Sequence, residues 1–313
     1  MQPTEFHLVF VLHCERPVAE SNGLGGPKDL ASSEKAIRGV ADYFESRNSY
    51  CDFHPVPDLA AAQHVLFNEL RERGFGIGMH FHSESWRDGS YRDALGLYPE
   101  EVQRRILTEA MDDYAQALGF RPVSYSAGNF SMSPDTYRIL SDLGIRQTSC
   151  CLPERYIPKW GANWIGTFPF ARWAHAESHL LPGELDLMEF PIACHPVRYV
   201  ADGNPMDIRL DCSRSPERKT GNDLVVEETY YEEMVRINFS RVWNAAWPIK
   251  SLAAFSHNYF DFSDPDLDQR KNLESLIDAA HHEADRHDCP LTIESLEKTR
   301  RRIESVRHPV ATV

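Results

Sequence analysis

The feature that most restricts this chain is an alternation of strand-like and helix-like segments along almost its whole length. "HLVFVLH" (7–13) reads as a strand and "LASSEKAIRGVADYFESR" (30–47) as an amphipathic helix. A strand over 49–56 and a helix over 58–74 follow, with Asp58 as the expected N-cap and Gly74 as the stop. "FGIGMHFH" (75–82) is the next strand, then a helix over 99–119 and a strand over 122–128. Ser133 as N-cap and Pro134 at the first helical position predict a helix over 133–144. Strands over 145–151 and 185–193 come next. The chain continues with a helix over 227–245, a strand over 251–257, a helix over 266–287, a short strand over 290–293 and a helix over 294–306. Such alternation implies an α/β fold with a largely parallel sheet, open or closed into a barrel. With no repeat and no low-complexity linker, the expectation is one domain over 1–313. The least regular stretches, 17–29 and 152–183, are assigned to loops over one end of the sheet.

In folds of this kind, ligands bind beyond the carboxyl ends of the parallel strands. Polar, coordinating side chains stand at those ends, strand after strand: His13 and Glu15, His54, His80, His82 and Glu84, Asn129, His195, and His257 with Asp261. The sharpest case is "GFGIGMHFHSESW" (74–86). In an extended chain, residues two apart point to the same side, so His80, His82 and Glu84 can face one point. Two imidazoles and a carboxylate are a ligand set for zinc and suit other transition metals. Read alone, such a histidine pair at a strand end is as readily explained by contact with water. "VFVLHCERP" repeats the spacing with His13 and Glu15, and that second strand tips the reading towards a site. One of these side chains is available as a metal carboxylate and another as a general base. His257, in "AAFSHNYFDF", is placed to protonate a leaving amine. His54 and His195 are weaker candidates, since each precedes a proline that marks a strand end, and His281, His282 and His287 belong to a charged, solvated helix face.

Composition narrows the partners. A formal charge of −14 argues against a nucleic-acid backbone and against anionic lipid. Seven cysteines, an odd number with no paired spacing, fit reduced thiols. No segment reaches the ~20 apolar residues of a membrane span, and the first residues read as a strand and not a signal peptide. The expectation is an acidic, soluble, cytoplasmic protein acting on a small molecule or carbohydrate.

The order of elements and residues resembles the polysaccharide deacetylase family, carbohydrate esterase family four, over roughly 7–300. "RGFGIGMHFHSESW" is similar to the family motif in which a strand ends in metal-binding histidines. "VSYSAGNFSMSPDTYRILSDLGIRQTS" resembles the region where a strand ends in an R-A-G turn ahead of a helix. "AAFSHNYFDF" is similar to the late histidine that serves as acid. The resemblance implies a distorted (β/α) barrel and a divalent metal, zinc first. It implies removal of an acetyl or formyl group from an amide nitrogen of an amino-sugar-like substrate. Glu15, His80 and His82 would then hold the metal, with Glu84 and His13 next in line, and His13, Glu15 and His257 would share the catalysis. Trp86, Asn129 and Tyr259 are the substrate-binding candidates, and Phe130 and Trp173 could add to an apolar wall. Three positions depart from the family: the acidic pair of the first motif is "HCE", the position of the second histidine is Glu84, and the arginine of R-A-G is Ser126. The alternatives are hydrolysis of another C–N bond on the same scaffold, or a barrel that only binds a carbohydrate or a protein.

Overall fold

The longest apolar strand of the chain lies at the middle of its first sheet. The computed structural model describes residues 5–21, 25–87, 89–195, 209–213 and 230–307. In it, β1 (Phe6–Cys14) is buried at all 9 positions. A strand covered on both faces is written as a continuous apolar run, not as an alternation. Helix α1 (Leu30–Ser46) is started by Asp29, whose carboxylate accepts the Ser32 N–H at 2.7 Å. There follow β2 (Asp52–Pro55), α2 (Pro57–Ala62), α3 (His64–Glu72), β3 (Gly76–Ile77) and β4 (Met79–Phe81). Helix α4 (Glu100–Leu118) leads to β5 (Ser124–Ala127), α5 (Thr136–Asp142) and β6 (Gln147–Thr148). Three two-residue strands, β7 (Tyr156–Ile157), β8 (Ala162–Asn163) and β9 (Arg172–Trp173), precede β10 (Met188–Glu189). The chain continues through α6 (Tyr230–Asn244), β11 (Ser251–His257), α7 (Asp268–Arg286), β12 (Leu291–Ile293) and α8 (Leu296–Arg307).

The strands form a distorted barrel from two sheets. One runs β11-β1-β2-β3, with β12 also paired to β1, and the other runs β4-β5-β6-β10-β9. Every pairing is parallel except β9 with β10 and the β7–β8 hairpin. Gly78 alone separates β3 from β4, so one run of chain passes from the first sheet to the second. On the far side, Ile192, just past β10, pairs in parallel with Ala253 of β11. Asp211 pairs with Phe255 of β11 in the same way, and Cys194 with Arg209, so the end of the second sheet meets β11 through isolated bridges. Tyr114 of α4 packs behind the β3–β4 junction, its hydroxyl donating to the Gly78 carbonyl at 3.0 Å.

Several expected segments differ in detail. The strand over 75–82 is two strands, because its halves pair in different sheets. The helix over 58–74 is also two. Asp58 lies in the first turn of α2, paired with Arg16, and Val56 takes the cap position. Gln63 breaks the helix because its side chain is drawn sideways to Ser33 Oγ (2.9 Å) and the Leu30 carbonyl (2.9 Å) of α1. Ser133 does not cap α5, which begins at Thr136. Its N–H donates to Thr136 Oγ1 at 2.9 Å and it holds the turn ahead of the helix. The stretch 152–183 carries β7, β8 and β9 where only loop was expected, and 185–193 pairs as a ladder only at β10. Residues 227–229 of the helix expected over 227–245 lie outside the described residues.

Candidate metal centre

The polar strand ends meet at the carboxyl end of the barrel. Glu15 directly follows β1, His80 lies in β4 with His82 just past it, and His257 ends β11. Glu15 Oε1 stands 3.0 Å from His80 Nε2 and 3.2 Å from His82 Nε2. The three side chains are buried and offer one ligand atom each, all within 4.8 Å of one another. Glu15 is held by its neighbour strand. The Asn258 side chain accepts the Glu15 N–H at 2.8 Å and donates to the Glu15 carbonyl at 3.0 Å.

The other end of each imidazole is also engaged. His80 Nδ1 lies 3.1 Å from the Ser126 carbonyl and 2.9 Å from Ser126 Oγ. His82 Nδ1 lies 3.1 Å from Glu84 Oε1, and Glu84 is held from its far side by Asn129 Nδ2 at 2.6 Å. A carbonyl and a carboxylate only accept, so both Nδ1 atoms carry the proton. Both Nε2 atoms then face one carboxylate oxygen, where either a second proton or a cation is required. Burial pulls His80 below the usual imidazole range, against the pull of Glu15, and so leaves it a single proton. Burial works against a charge on His82 too, but Glu15 and Glu84 push it up to about 10. Burial would raise Glu15; His82 and His80 outweigh it and hold that carboxyl well below its ordinary value. The donor set therefore fits a divalent cation, with the carboxylate–imidazole contact behind His82 that metal sites use to orient a ligand.

The remaining candidates fall around this centre. His13 stacks on His80 (centroids 4.2 Å) and meets His257 edge-on at 5.3 Å, and its Nε2 is buried without a hydrogen-bond partner. Burial, reinforced by the neighbouring imidazoles, keeps His13 neutral. His257 Nδ1 meets Ser213 Oγ at 2.9 Å, and Tyr259 stacks on the ring at 4.8 Å. Desolvation lowers His257 to about 4 in spite of Asp211, itself paired with Arg209 at 3.0 Å. Asn129 adopts the left-handed backbone, φ 53°, that lets it reach Glu84. Phe130 lies beneath, 5.6 Å from Phe255. Trp86 is drawn away: 1% exposed, it packs against Phe81 and Tyr91, with no face open to a ligand. Trp173 sits under Arg300 on β9. His195 lines a separate cavity of about 320 Å³ with Glu154 and Arg241. His281 and His282 are exposed on α7, and His287 packs on Phe239.

Sequence reasoning missed Asn258, Asp211 and Ser213. Asn258 had a signal, its place next to His257. The other two stand in a stretch without periodicity.

Among known proteins, no family model and no curated sequence matches this chain. Solved structures do. A Mycobacterium smegmatis protein assigned as a polysaccharide deacetylase matches with a TM-score of 0.61 at 14% identity, over 100% of this chain and 94% of that one. The Puue allantoinase matches at 0.58 and 15%, over 99% and 93%. A Parabacteroides distasonis protein assigned as a glycoside hydrolase/deacetylase matches at 0.65 and 13%, over 98% and 72%. With its parallel strands, its ring of two sheets and these likenesses along its whole length, the chain is a divergent example of the polysaccharide-deacetylase fold.

Proposed function

We propose that this chain is a cation-dependent amide hydrolase that removes an acetyl or formyl group from the nitrogen of an amino-sugar-like small molecule. The observation that carries the reading is the meeting of Glu15 Oε1 with His80 Nε2 and His82 Nε2, each imidazole being fixed from behind. Glu15, His80 and His82 would hold the cation, with zinc the first choice for two imidazoles and a carboxylate. Such an ion supplies a Lewis acid for the acyl oxygen and lowers the pKa of a water.

The chain's own residues divide the rest of the work. Glu84 orients His82 through Nδ1. His257, neutral at pH 7 because its pKa lies at about 4, would take at Nε2 the proton that the attacking water gives up, while Ser213 holds Nδ1. It then gives that proton to the departing amine, so one imidazole serves as base and acid in turn. His13, neutral and buried, packs on His80 and keeps water from its inner side. Tyr259 and Asn129 are placed to contact the substrate.

The test is the metal content of the purified protein, followed by acetate or formate release from a panel of N-acylated amino sugars. Bound zinc or a related ion at one per chain, with acid released, is the expected result. A chain that binds no divalent ion would overturn the reading and leave a barrel that only binds. The fold shared with an allantoinase supports a second reading, hydrolysis of a different C–N bond. Stoichiometric ion with no acid released from any N-acyl sugar would favour it.

A further inference from the structure

Below the centre, towards the amino ends of the strands, a line of buried polar side chains runs away from His80. Ser126 Oγ lies between two rings, 2.9 Å from His80 Nδ1 and 3.0 Å from His54 Nδ1. Beyond it, His54 Nε2 faces Asp52 Oδ1 at 3.6 Å. Asp52, His54 and Ser126 are each 0% exposed and His80 is 2% exposed. Neither His54 Nε2 nor Asp52 Oδ1 has a hydrogen-bond partner, and they face each other just beyond hydrogen-bond length. Three polar residues in the dry interior of a barrel are costly unless they are paired. They need a role.

The neighbouring strand is shaped around them. Gly76 is the register partner of Asp52 across β2 and β3. A Cβ at Gly76 would collide with Asp52 Oδ1, and one at Gly78 would collide with His54 Nε2. Side chains on one face of a strand recur every second residue. The inner face of this run is therefore Gly76, Gly78, His80 and His82: two positions without side chains, then two imidazoles. The first two admit Asp52 and His54 from β2. Without them the line could not pass beneath His80.

Donor and acceptor roles then fall into one order. The Ser126 carbonyl requires the proton of His80 on Nδ1, so Nε2 is free for a cation. Asp52 only accepts, so His54 turns its N–H, on Nε2, towards it. His54 Nδ1 is left to accept, and the Ser126 hydroxyl donates to it while receiving from His80. We propose that Asp52, His54 and the Ser126 hydroxyl form a positioning relay that fixes the ring angle of His80, whose tautomer the Ser126 carbonyl holds, and so sets its strength as a cation ligand. The relay extends the common contact of a ligating histidine with a carboxylate by one hydroxyl and one further imidazole. It rests on the proposed cation site, and Ser126 and His54 act only through His80.

The test uses the full chain with Ser126→Ala, His54→Asn and the double variant. Asp52 is left intact because its Oδ2 also accepts the Leu296 N–H at 2.7 Å at the start of α8. Zinc affinity is read by competition with a chromophoric chelator. Each single variant should bind about 10- to 100-fold more weakly, the usual effect of losing a group behind a ligand. The double variant should bind little more weakly than Ser126→Ala, because the hydrogen-bonded route from His54 to His80 runs through Ser126. Ser126→Thr should restore affinity. Additive losses, or unchanged affinity in variants with wild-type circular dichroism, would overturn the relay while leaving the cation site standing.

A second readout needs no metal. In chelated, 15N-histidine-labelled protein, His80 should carry its proton on Nδ1 in the wild type. In Ser126→Ala and His54→Asn the proton should stay on Nδ1 with the Ser126 carbonyl, but the Nδ1–H resonance should shift as the hydroxyl contact is lost or loosened. An identical pattern in all three proteins sinks the relay. Variants that show this shift, in a chain whose wild type binds no zinc, keep the relay and discard the hydrolase reading.

Discussion

Each imidazole of the centre meets an acceptor at both ends, and a substitution has a different consequence according to the end it removes. His82→Ala deletes a donor, and the chain should lose stoichiometric cation, read by elemental analysis after dialysis. Glu84→Gln leaves all three donors in place and removes only the charge behind His82. It should weaken the cation by about 10- to 100-fold without changing the stoichiometry. His257 touches neither ligand nitrogen. His257→Ala should therefore keep the cation and lower kcat by about 10²- to 10⁴-fold, the usual contribution of a positioned acid or base. Because packing depresses its pKa to about 4, the neutral, proton-accepting form is present above that pH. The rate should fall as pH drops through about 4, and a limb near 6.5 would assign the titration to another group. The meeting of Glu15, His80 and His82 was legible because side chains gathered at strand ends leave a period-two trace, as in "HFHSE" and "HCE". His54 was not, because a histidine before proline looks like the end of a strand. Its importance comes from Ser126 on another strand, 72 residues away.

At the level of elements, helix starts were legible where a side chain closes the first turn locally, as Asp29 does for α1. They were not where a partner from elsewhere intervenes. Gln63 favours helix on its own, and only its bonds to α1 split the segment in two. The same holds for the run 75–82. Its alternation is unbroken, so nothing local marks the passage between sheets, yet the passage places His80 and His82 opposite β5 and not β2. The glycines there are packing requirements. Gly78→Ala should cost about 1–3 kcal/mol, the range for overfilling a packed interior, and should displace His54. Urea unfolding would measure the first effect and the zinc competition the second. An alanine tolerated without either change would mean that the strand and His54 adjust freely.

For the whole molecule, burial of imidazoles makes stability depend on acid. His7, 5% exposed beneath β12, is lowered to about 4, with burial first and Arg302 second among the causes. In the unfolded chain it titrates near 6.5. The unfolded state therefore binds more protons between those values, so stability is fully present above pH 6.5 and is lost as pH falls towards 4. A shift of that size is worth about 3 kcal/mol at the acid end of the window. His257 adds in the same direction. Urea midpoints of the chelated protein should fall steadily from pH 7 to 4.5, and His7→Phe should flatten the slope. Among the described residues no helix is long and apolar enough to cross a membrane. The parallel sheet was legible in the alternation of elements; the meeting of the two sheets was not, since isolated bridges such as Ile192 with Ala253 and Asp211 with Phe255 carry no pattern of their own.

Asn258 holds both backbone groups of Glu15 across 243 residues of chain. During synthesis the N-terminal part of a protein leaves the ribosome first. Glu15, His80 and His82 are therefore exposed to the cell's ions long before the residue that sets the carboxylate in place has been translated. Until it arrives, the backbone of Glu15 lacks both of those bonds, so the final setting of this carboxylate against His80 and His82 waits on the last fifth of the chain.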